Sequence, residues 1–408
     1  MTQQSSEHSS APAALAPSVI NVLLKLLPIT AAVFVSFLII GMQLPVLPLH
    51  LHNTLDMNTL VVGLVIGVQF AAALLSRSWA GNFADMRGAK RAMLTGILVA
   101  ASSGLLYLAS LAFVDVPVIS VWILLAGRVV LALGESLIVT GSMGWGVGLV
   151  GPQNAGKVMA WIGIAMYAAF ALGAPLGVVV NGEWGFGGIA VATSMIPLLA
   201  LAIVAGAQGV PPTSQRRTSF FKVLSAVWVP GLGLACSSVG FGVITAFVAL
   251  LFAAKDWGNA SLAFTAFGLA FIGARIFFGH LPDSIGGAKV ALVCVIIEAA
   301  GQLLIWGADS PLMAYLGAAL TGFGYSLAFP GFGVEAIKRA PPQSRSLAMG
   351  AYVAFLDISL GISIPLAGVL AGVAGVASVY LAGAATVALS VGVALILLCK
   401  AQGGGRQA

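Results

Sequence analysis

Long apolar runs separated by short polar segments cover most of this chain. An apolar helix of about 20 residues spans the roughly 30 Å hydrocarbon core of a bilayer. The runs are continuously apolar and lack the alternation of a transmembrane barrel strand, so they predict helices. About twelve candidate spans follow from this pattern, near residues 28–49, 60–80, 91–113, 119–148, 157–180, 187–208, 228–252, 261–281, 289–308, 311–333, 346–370 and 376–399.

Composition supports a membrane protein, since 60% of the residues are hydrophobic and only 7% are charged. Soluble domains carry about 25% charged residues. Residues 209–222 are rich in Pro, Ser and Arg and predict a cytoplasmic linker between two halves. We therefore expect an all-α integral membrane fold with six-helix bundles at 18–208 and 223–400. Polar cytoplasmic tails are expected at 1–17 and 401–408.

The distribution of basic residues predicts the orientation in the membrane. If both termini are cytoplasmic, nearly all of the 18 Lys and Arg residues fall on the cytoplasmic side. Lys255 is then the only cation on the far side, and Arg128 lies within a span. Cytoplasmic loops are enriched in Lys and Arg, so this orientation is expected. The net charge of +6 is thereby explained by one membrane face, without a nucleic-acid partner.

A charged motif occurs twice, each time between the second and third spans of a half. The two copies are Gly81-x-x-x-Asp85-x-x-Gly88-x-x-Arg91 and Gly279-x-x-x-Asp283-x-x-Gly286-x-x-Lys289. Corresponding positions differ by 198, as in 279 − 81 = 198, and an arginine precedes each copy by four residues (Arg77 and Arg275). This register indicates an internal duplication and predicts two halves that move relative to each other.

The residue types of the motif suggest a latch on the cytoplasmic side. The first glycine of each copy is expected to let two helix ends approach closely, and the second to form a tight reversal. The aspartate is placed to accept backbone N–H groups at a neighbouring helix start. Glu335 is expected to form a local charge cluster with Lys338 and Arg339 that contacts the Asp85 loop. The predicted cytoplasmic gate comprises Arg77, Gly81, Asp85, Gly88, Arg91, Arg275, Gly279, Asp283, Gly286, Lys289 and Glu335.

These motifs resemble the major facilitator superfamily of secondary transporters, whose second-to-third helix loop carries a Gly-x-x-x-Asp-x-x-Gly motif implicated in gating. Met86 and Ala89 depart from that pattern, and Lys90 and Arg91 supply the charge. The stretches Leu75 to Gly81, Gly144 to Gly151, Gly173 to Val179 and Ala235 to Thr245 are similar to the YhhS-type branch. The resemblance covers all spans and implies a multi-pass transporter of the bacterial inner membrane, of exporter type.

A second repeat has an offset of 190. Gly134-Glu135-Ser136-Leu137 corresponds to Gly324-Tyr325-Ser326-Leu327, and Pro175 corresponds to Pro365. The matched prolines predict helix kinks in the fifth and eleventh spans, and paired interruptions point towards a transport path. Gly173-Ala174-Pro175 is also similar to the antiporter signature of drug exporters, although Ala174 separates its glycine and proline.

The halves differ at two positions that the repeat brings into correspondence. Glu135 corresponds to Tyr325, and Tyr167 corresponds to Asp357. An acid at the centre of a membrane helix costs about 2.5–3.5 kcal/mol on insertion scales, so it is a functional hypothesis by default. Glu298, on the ninth span, is expected to support the core. The predicted substrate and proton pathway comprises Gln43, Gln69, Arg128, Glu135, Tyr167, Tyr325 and Asp357.

The sequence therefore favours proton-coupled export of a small molecule, a drug or metabolite, by alternating access. Protonation of Glu135 or Asp357 would weaken an ion pair, with Arg128 as the candidate partner, and favour one state. Metabolite uptake or uniport remains an alternative, as does a non-transporting receptor on the same fold. The chain shows no nucleophile–base set, metal-ligand spacing or cofactor motif, so an enzyme is not expected. Its expected partners are the lipid bilayer, the substrate and protons, and a monomer is expected.

Overall fold

The computed structural model describes residues 19–151, 154–211, 220–339 and 345–404, and all regular structure there is helical. The all-α prediction is therefore confirmed. The predicted tail at 1–17 lies outside the described residues, as do parts of the predicted linker and of the second tail. The helices are α1 (Val19–Leu49, continued by a π-helical turn His50–Thr54), α2 (Thr59–Arg87), α3 (Ala89–Leu111), α4 (Pro117–Val150), α5 (Ala155–Ala205), α6 (Phe220–Ala254), α7 (Ser261–Phe278), α8 (Leu281–Ser284), α9 (Gly287–Trp306), α10 (Pro311–Arg339), α11 (Arg345–Ala374) and α12 (Ser378–Gly404).

Eleven helices in the described ranges are long and apolar enough to cross a membrane. Helix α5 has 51 residues, about 77 Å at 1.5 Å per residue, which is too long for one crossing. Its backbone breaks at Gly185, where φ is 61° and ψ is −166°. We call the parts before and after Gly185 the first and second arms of α5. The fifth and sixth predicted spans are thus joined by a single non-helical glycine, and twelve crossings result.

Both motif turns are built on a glycine with positive φ. Gly88 (φ 94°) separates α2 from α3, and Gly286 (φ 104°) precedes α9. A side chain is strained in this region, so the predicted reversals are confirmed at both positions. The predicted close approach of a second helix is wrong at both first glycines of the motif. The three atoms nearest to a Cβ on Gly279 would all belong to Arg275 in the preceding turn, and a Cβ on Gly81 would meet no atom within 4 Å. That face of α2 borders open space.

The two halves meet mainly along three helix pairs, which are α2 with α11, the first arm of α5 with α7, and α1 with α6. We call the end of the bundle with Gly88 and Gly286 the motif end, and the other the opposite end. At the opposite end, Thr59 Oγ1 donates to the carbonyl of Gly368 at 2.8 Å. Nearby, a Cβ on Gly63 would lie 2.7 Å from the Ile364 carbonyl oxygen. Helices α2 and α11 are therefore in backbone contact there, and the opposite end is closed.

The end of α5 is fastened to the amino-terminal half. Lys90 Nζ donates to the carbonyls of Ala205 (2.8 Å) and Ala207 (2.6 Å), where a cation also complements the helix dipole. The indole N–H of the fully buried Trp145 donates to the Gln208 carbonyl at 2.9 Å. The chain therefore leaves the amino-terminal half only after residue 208.

Candidate functional site

A bidentate ion pair links the two halves near the middle of the bundle. Arg77 of α2 donates through Nε to Asp357 Oδ2 and through a terminal nitrogen to Asp357 Oδ1 at 3.0 Å. The Asp357 side chain is 2% exposed and that of Arg77 is 27% exposed. Fork-to-carboxylate pairs of this kind are among the stronger hydrogen-bonded contacts in proteins. Arg77 was predicted at a cytoplasmic helix end, but α2 continues ten residues beyond it, to Arg87.

A second carboxylate lies beside this pair, on the amino-terminal half. Glu135 Oε2 of α4 accepts from Gln69 Nε2 of α2 at 2.7 Å, and it lies within electrostatic range of Arg77 and Asp357. A Ser76 Oγ to Ser136 Oγ hydrogen bond of 2.8 Å aligns α2 and α4 at the adjacent residues. One cation is thus shared by two acids, one from each half. We call Gln69, Arg77, Glu135 and Asp357 the central charge cluster.

The predicted partner of these acids, Arg128, lies elsewhere. Its guanidinium donates to Gln43 Oε1 at 2.9 Å, which also accepts from the Tyr107 hydroxyl at 3.3 Å. Gln43 Nε2 in turn donates to Thr193 Oγ1 at 3.1 Å. Arg128 is 4% exposed, and this cluster lies inside the amino-terminal half. Arg128 lies within electrostatic range of Glu135 but makes no ion pair with either acid in the described residues, and Arg77 is the cation that binds Asp357. A shared cavity of Arg128 and Glu135 stays a prediction.

The two tyrosines that correspond to Glu135 and Asp357 in the repeat also lie close to each other. Tyr167 of α5 and Tyr325 of α10 have ring centroids 6.4 Å apart, and Tyr167 stacks on Phe271 of α7 at 3.7 Å. The surrounding rings fill the boundary between the halves. We call these residues the aromatic cluster: Tyr167, Phe170, Phe241, Phe267, Phe271 and Tyr325.

Arg275 lies at the edge of the aromatic cluster, with its Cζ 5.4 Å from the centroid of the Phe271 ring. The pseudo-symmetry is consistent. Arg275 is the counterpart of Arg77, with an offset of 198, and Tyr167 and Tyr325 are the counterparts of Asp357 and Glu135, with an offset of 190. Tyr167 and Tyr325 lie within electrostatic range of its guanidinium. One arginine of the duplicated pair therefore faces two acids, and the other faces two tyrosines.

Glu298 of α9 is fully buried and has no cationic partner among the described residues. Its Oε2 accepts from Ser237 Oγ of α6 at 2.6 Å, while its Oε1 has no hydrogen-bond partner. Gly324 packs on it, since a Cβ there would lie 2.8 Å from the Glu298 backbone nitrogen. This matches the expected supporting position and adds a buried carboxyl to the carboxy-terminal half.

Most residues of the predicted gate lie at or near the motif end. Glu335 accepts from Lys338 at 3.1 Å and from Arg339 at 2.8 Å, so the predicted local charge cluster is confirmed. Arg91, Asp283 and Lys289 are exposed. Contact of this cluster with the Asp85 loop, and a gating role for the set, stay predictions.

The matched prolines lie in continuous helices. Pro365 of α11 packs on α2, because a Cβ on Gly67 would lie 2.8 Å from its Cδ. Pro175 lies in the first arm of α5. Both helical assignments continue across the proline, and the kinks stay predictions.

Sequence reasoning missed the site of Arg77, although a signal was present, whereas Arg275 lies in the last turn of α7, as expected. Both arginines lie eleven residues before a positive-φ glycine, as 88 − 77 = 11 and 286 − 275 = 11 show. If α2 continues as a helix to Gly88, the eleven residues between Arg77 and that glycine correspond to about 16 Å along the helix axis. This depth places Arg77 well within the span.

Comparisons with known proteins agree on one family. The family model described as Major Facilitator Superfamily matches residues 29–255 and, again, 230–406. The two matches divide the chain into halves, as the duplicated motif does. An uncharacterized MFS-type transporter of Salmonella typhimurium is 41% identical over 375 residues, which cover 92% of this chain and 97% of that protein. One from Burkholderia mallei is 43% identical over 379 residues, 91% of either chain.

Two solved structures share the fold at low sequence identity. The human organic anion transporter MFSD10 has a TM-score of 0.65 and 16% identity, covering 93% of this chain and 100% of its own. A mutant of the nucleoside transporter NupG has a TM-score of 0.70 and 16% identity, covering 92% and 99%. At this identity the likeness shows the fold alone.

Proposed function

This chain belongs to the Major Facilitator Superfamily, and we propose that it exports a small molecule across the bacterial inner membrane by proton-coupled alternating access. Membership makes it a multi-pass membrane transporter and not an enzyme. Proton coupling, export, a monomeric state and cytoplasmic termini are our proposals. The observation that supports them most directly is the ion pair between Arg77 and Asp357, since it joins the two halves beside a second acid.

The central charge cluster suggests how a proton would change the contact between the halves. With both acids charged, Arg77 binds Asp357 and holds α2 against α11. A proton on Asp357 removes the charge that Arg77 pairs with across the boundary. Arg77 then has Glu135 as the remaining anion within range, and Glu135 belongs to its own half. Proton binding would thereby convert a contact between halves into a contact within one half.

The energy of this ion pair approaches, without exceeding, the energy that a complete switch between two states requires. Breaking a buried ion pair by removing one partner costs about 3–5 kcal/mol, because a buried charge is left without compensation. A shift from 1:99 to 99:1 between two states requires about 5.5 kcal/mol. Transfer of Arg77 from Asp357 to Glu135 avoids leaving the cation unpaired, so the two states stay close in free energy. Close energies are what a transporter needs to return after each cycle.

The direction of transport and the orientation rest on charge placement. The exposed acids Asp56, Asp115, Glu183, Asp256 and Asp309 lie on connections at the opposite end. The motif end carries most of the Lys and Arg residues, which fits a cytoplasmic face. The opposite end is closed here, so we assign this structure to a state that faces the cytoplasm. An exporter loads its cargo in that state.

Distance measurements on full-length protein test the switch without knowledge of the substrate. Spin labels on Lys157→Cys and Ser284→Cys report the motif end, and labels on Asp115→Cys and Asp309→Cys report the opposite end. Cys236, Cys294 and Cys399 are replaced first. We expect acidification to change both distance distributions, and Asp357→Asn to hold them in the acidic form at any pH. Asp256→Asn, an exposed acid outside the cluster, is the control and should keep the wild-type response. An unchanged pH response in Asp357→Asn would refute the proposed switch.

Export is tested separately by screening toxic compounds for growth relief on expression. The relevant compounds are those whose toxicity is relieved by the wild-type protein and not by Asp357→Asn. We expect such a compound to enter everted vesicles in a manner that depends on the proton gradient. Gradient-driven movement in the reverse direction would replace export by uptake.

A further inference from the structure

We propose that Arg275, with the hydroxyl groups of Tyr325 and Tyr167, binds an anionic group of the transported molecule, and that the aromatic cluster receives an apolar or aromatic body attached to it. The inference rests on the proposed function, because it takes the ligand to be the cargo. It names the chemical class of that cargo as a small organic anion.

The first observation is that Arg275 has no compensating charge. Its guanidinium makes no ion pair or hydrogen bond in the described part of the chain, and its Nε is fully buried without a partner. The guanidinium instead lies over the face of the Phe271 ring, in a weak cation–π interaction. A desolvated guanidinium that is left in this condition has strong affinity for a carboxylate or phosphate, which its planar fork binds through two hydrogen bonds.

A second donor without a well-formed bond lies beside it. The Tyr325 hydroxyl is buried and makes no hydrogen bond of normal geometry, although Tyr167 and Ser238 lie near it. A buried donor left unsatisfied costs about 1–3 kcal/mol, so an acceptor that enters here is favoured. Arg275 presents only donors, and the Tyr325 hydroxyl can donate as well. An anion satisfies both groups, whereas an ammonium group is repelled by the guanidinium.

The position of Arg275 suits a group that must reach the boundary between the halves. Arg275 lies one turn from Phe271 on the same face of α7. Phe271 is buried against Tyr167 of the other half, while the adjacent Ile276 and Phe277 are 60% and 70% exposed on the outer face. Arg275 itself is partly exposed. Its guanidinium therefore lies on the side of α7 that carries the aromatic cluster.

The Arg275 site and the central charge cluster correspond in the repeat but differ in their charged residues. The central charge cluster holds one arginine and two acids, with a formal charge of −1, and it includes its own acceptors. At the corresponding site, no acid of the described residues lies within electrostatic range of the Arg275 guanidinium itself, although the buried Glu298 carboxyl lies within range of Tyr167 and Tyr325. Arg128 also makes no ion pair among the described residues, although it lies within electrostatic range of Glu135, and its guanidinium donates to Gln43 inside the amino-terminal half. Arg275 is thus the arginine whose guanidinium is left without any hydrogen bond at the contact between the halves.

A matched set of ligands tests the proposal on purified full-length protein in lipid nanodiscs. Phenylacetate, phenylacetamide and phenethylamine share an aromatic body and carry an anionic, a neutral and a cationic group. We expect phenylacetate to bind at least about tenfold more tightly than the other two, which corresponds to one charged hydrogen bond. Equal or tighter binding of the amide or the amine would overturn the proposal, and so would a failure of all three to bind.

Variants separate the site from general effects on folding. Arg275→Gln should abolish the preference for phenylacetate, Arg275→Lys should keep part of it, and Tyr325→Phe should reduce phenylacetate affinity about tenfold. Lys157→Gln removes an exposed cation at the motif end and should leave the preference unchanged. Persistence of the preference in a folded Arg275→Gln protein would overturn the proposal. Asp357→Asn should keep the preference and lose the pH response, so loss of one property without the other shows which proposal has failed.

Discussion

Asp357 receives two hydrogen bonds from Arg77, a residue of the opposite half, and is itself almost fully buried, at 2% exposure. The two residues are 280 positions apart in sequence, so their contact exists only when α2 and α11 are packed together. Arg77 has a second acid within range, in Glu135, whereas the described structure offers Asp357 only one cation. Because of this asymmetry, we expect removal of Arg77 and removal of Asp357 to change the stability of the protein by different amounts.

Arg77→Gln should destabilise the protein more than Asp357→Asn does. Loss of Arg77 leaves Asp357 buried without a cation, at a cost of about 3–5 kcal/mol. Loss of the Asp357 charge lets Arg77 pair with Glu135 instead. The double variant leaves no unpaired charge at position 357, so it should lose less stability than the sum of the two single changes. Chemical unfolding in mixed micelles measures this cycle, and equal, additive losses would show that Arg77 is not shared.

Gly63→Ala should open the opposite end of the bundle. Its Cβ would lie 2.7 Å from the Ile364 carbonyl oxygen, so α2 and α11 must separate locally to accommodate it. We expect the distance between labels on Asp115→Cys and Asp309→Cys to increase. Gly182→Ala is the matched control, because a Cβ there meets no atom within 4 Å. If both alanines leave the distance unchanged, this crossing does not hold the opposite end closed.

Glu298→Gln should have little effect on stability or on the pH response. A carboxyl with 0% exposure and only the Ser237 hydroxyl as a donor is favoured in its neutral form, because an unpaired buried charge is costly. Glutamine has the same shape and carries no charge, so we expect a change within about 1 kcal/mol. Infrared difference spectroscopy should show the protonated carboxyl band in wild type and its loss in the variant. A large loss of stability, or an altered pH response, would indicate a charged Glu298.

Arg128→Gln should lower stability without altering ligand selectivity. The change removes the 2.9 Å hydrogen bond from Arg128 to Gln43 Oε1, and hydrogen bonds to charged groups contribute about 1.5–3 kcal/mol. The ratio of phenylacetate to phenylacetamide affinity should match wild type, since the cluster lies inside the amino-terminal half. Unfolding and binding measured on the same preparation check both parts. A changed ratio would return Arg128 to the substrate pathway.

The fold could be predicted from sequence because its determinants are local. Apolar runs specify the spans, and the glycine that closes each motif needs a backbone conformation that only glycine adopts easily, as the φ values of Gly88 and Gly286 confirm. The offset of 198 identifies the duplication from the sequence alone. The join at Gly185 was less clear, because a break of a single residue hardly interrupts the apolar pattern.

The partners inside the site could not be predicted in this way. Whether Glu135 pairs with Arg128 or Arg77 depends on how α4 is rotated against α1 and α2, and packing decides that rotation. Gly134 contributes, since a Cβ there would lie 2.6 Å from the Ala100 backbone nitrogen, so α4 presses that side against α3. Glu135 then turns towards Gln69 of α2. The repeat marks both acids, but it does not indicate that Gln69 binds Glu135 or that Arg77 binds Asp357.

The fastening of Ala207 and Gln208 to Lys90 and Trp145 also limits how far the halves can travel from each other. The predicted linker began at residue 209, yet the chain is already held at 208 and helix α6 begins at Phe220. A fully extended strand of the roughly twelve residues between those points reaches at most about 43 Å. The linker is thus a tether of fixed maximum length. Insertions or deletions after Val210 should change its reach without altering the residues that we propose to bind protons or cargo.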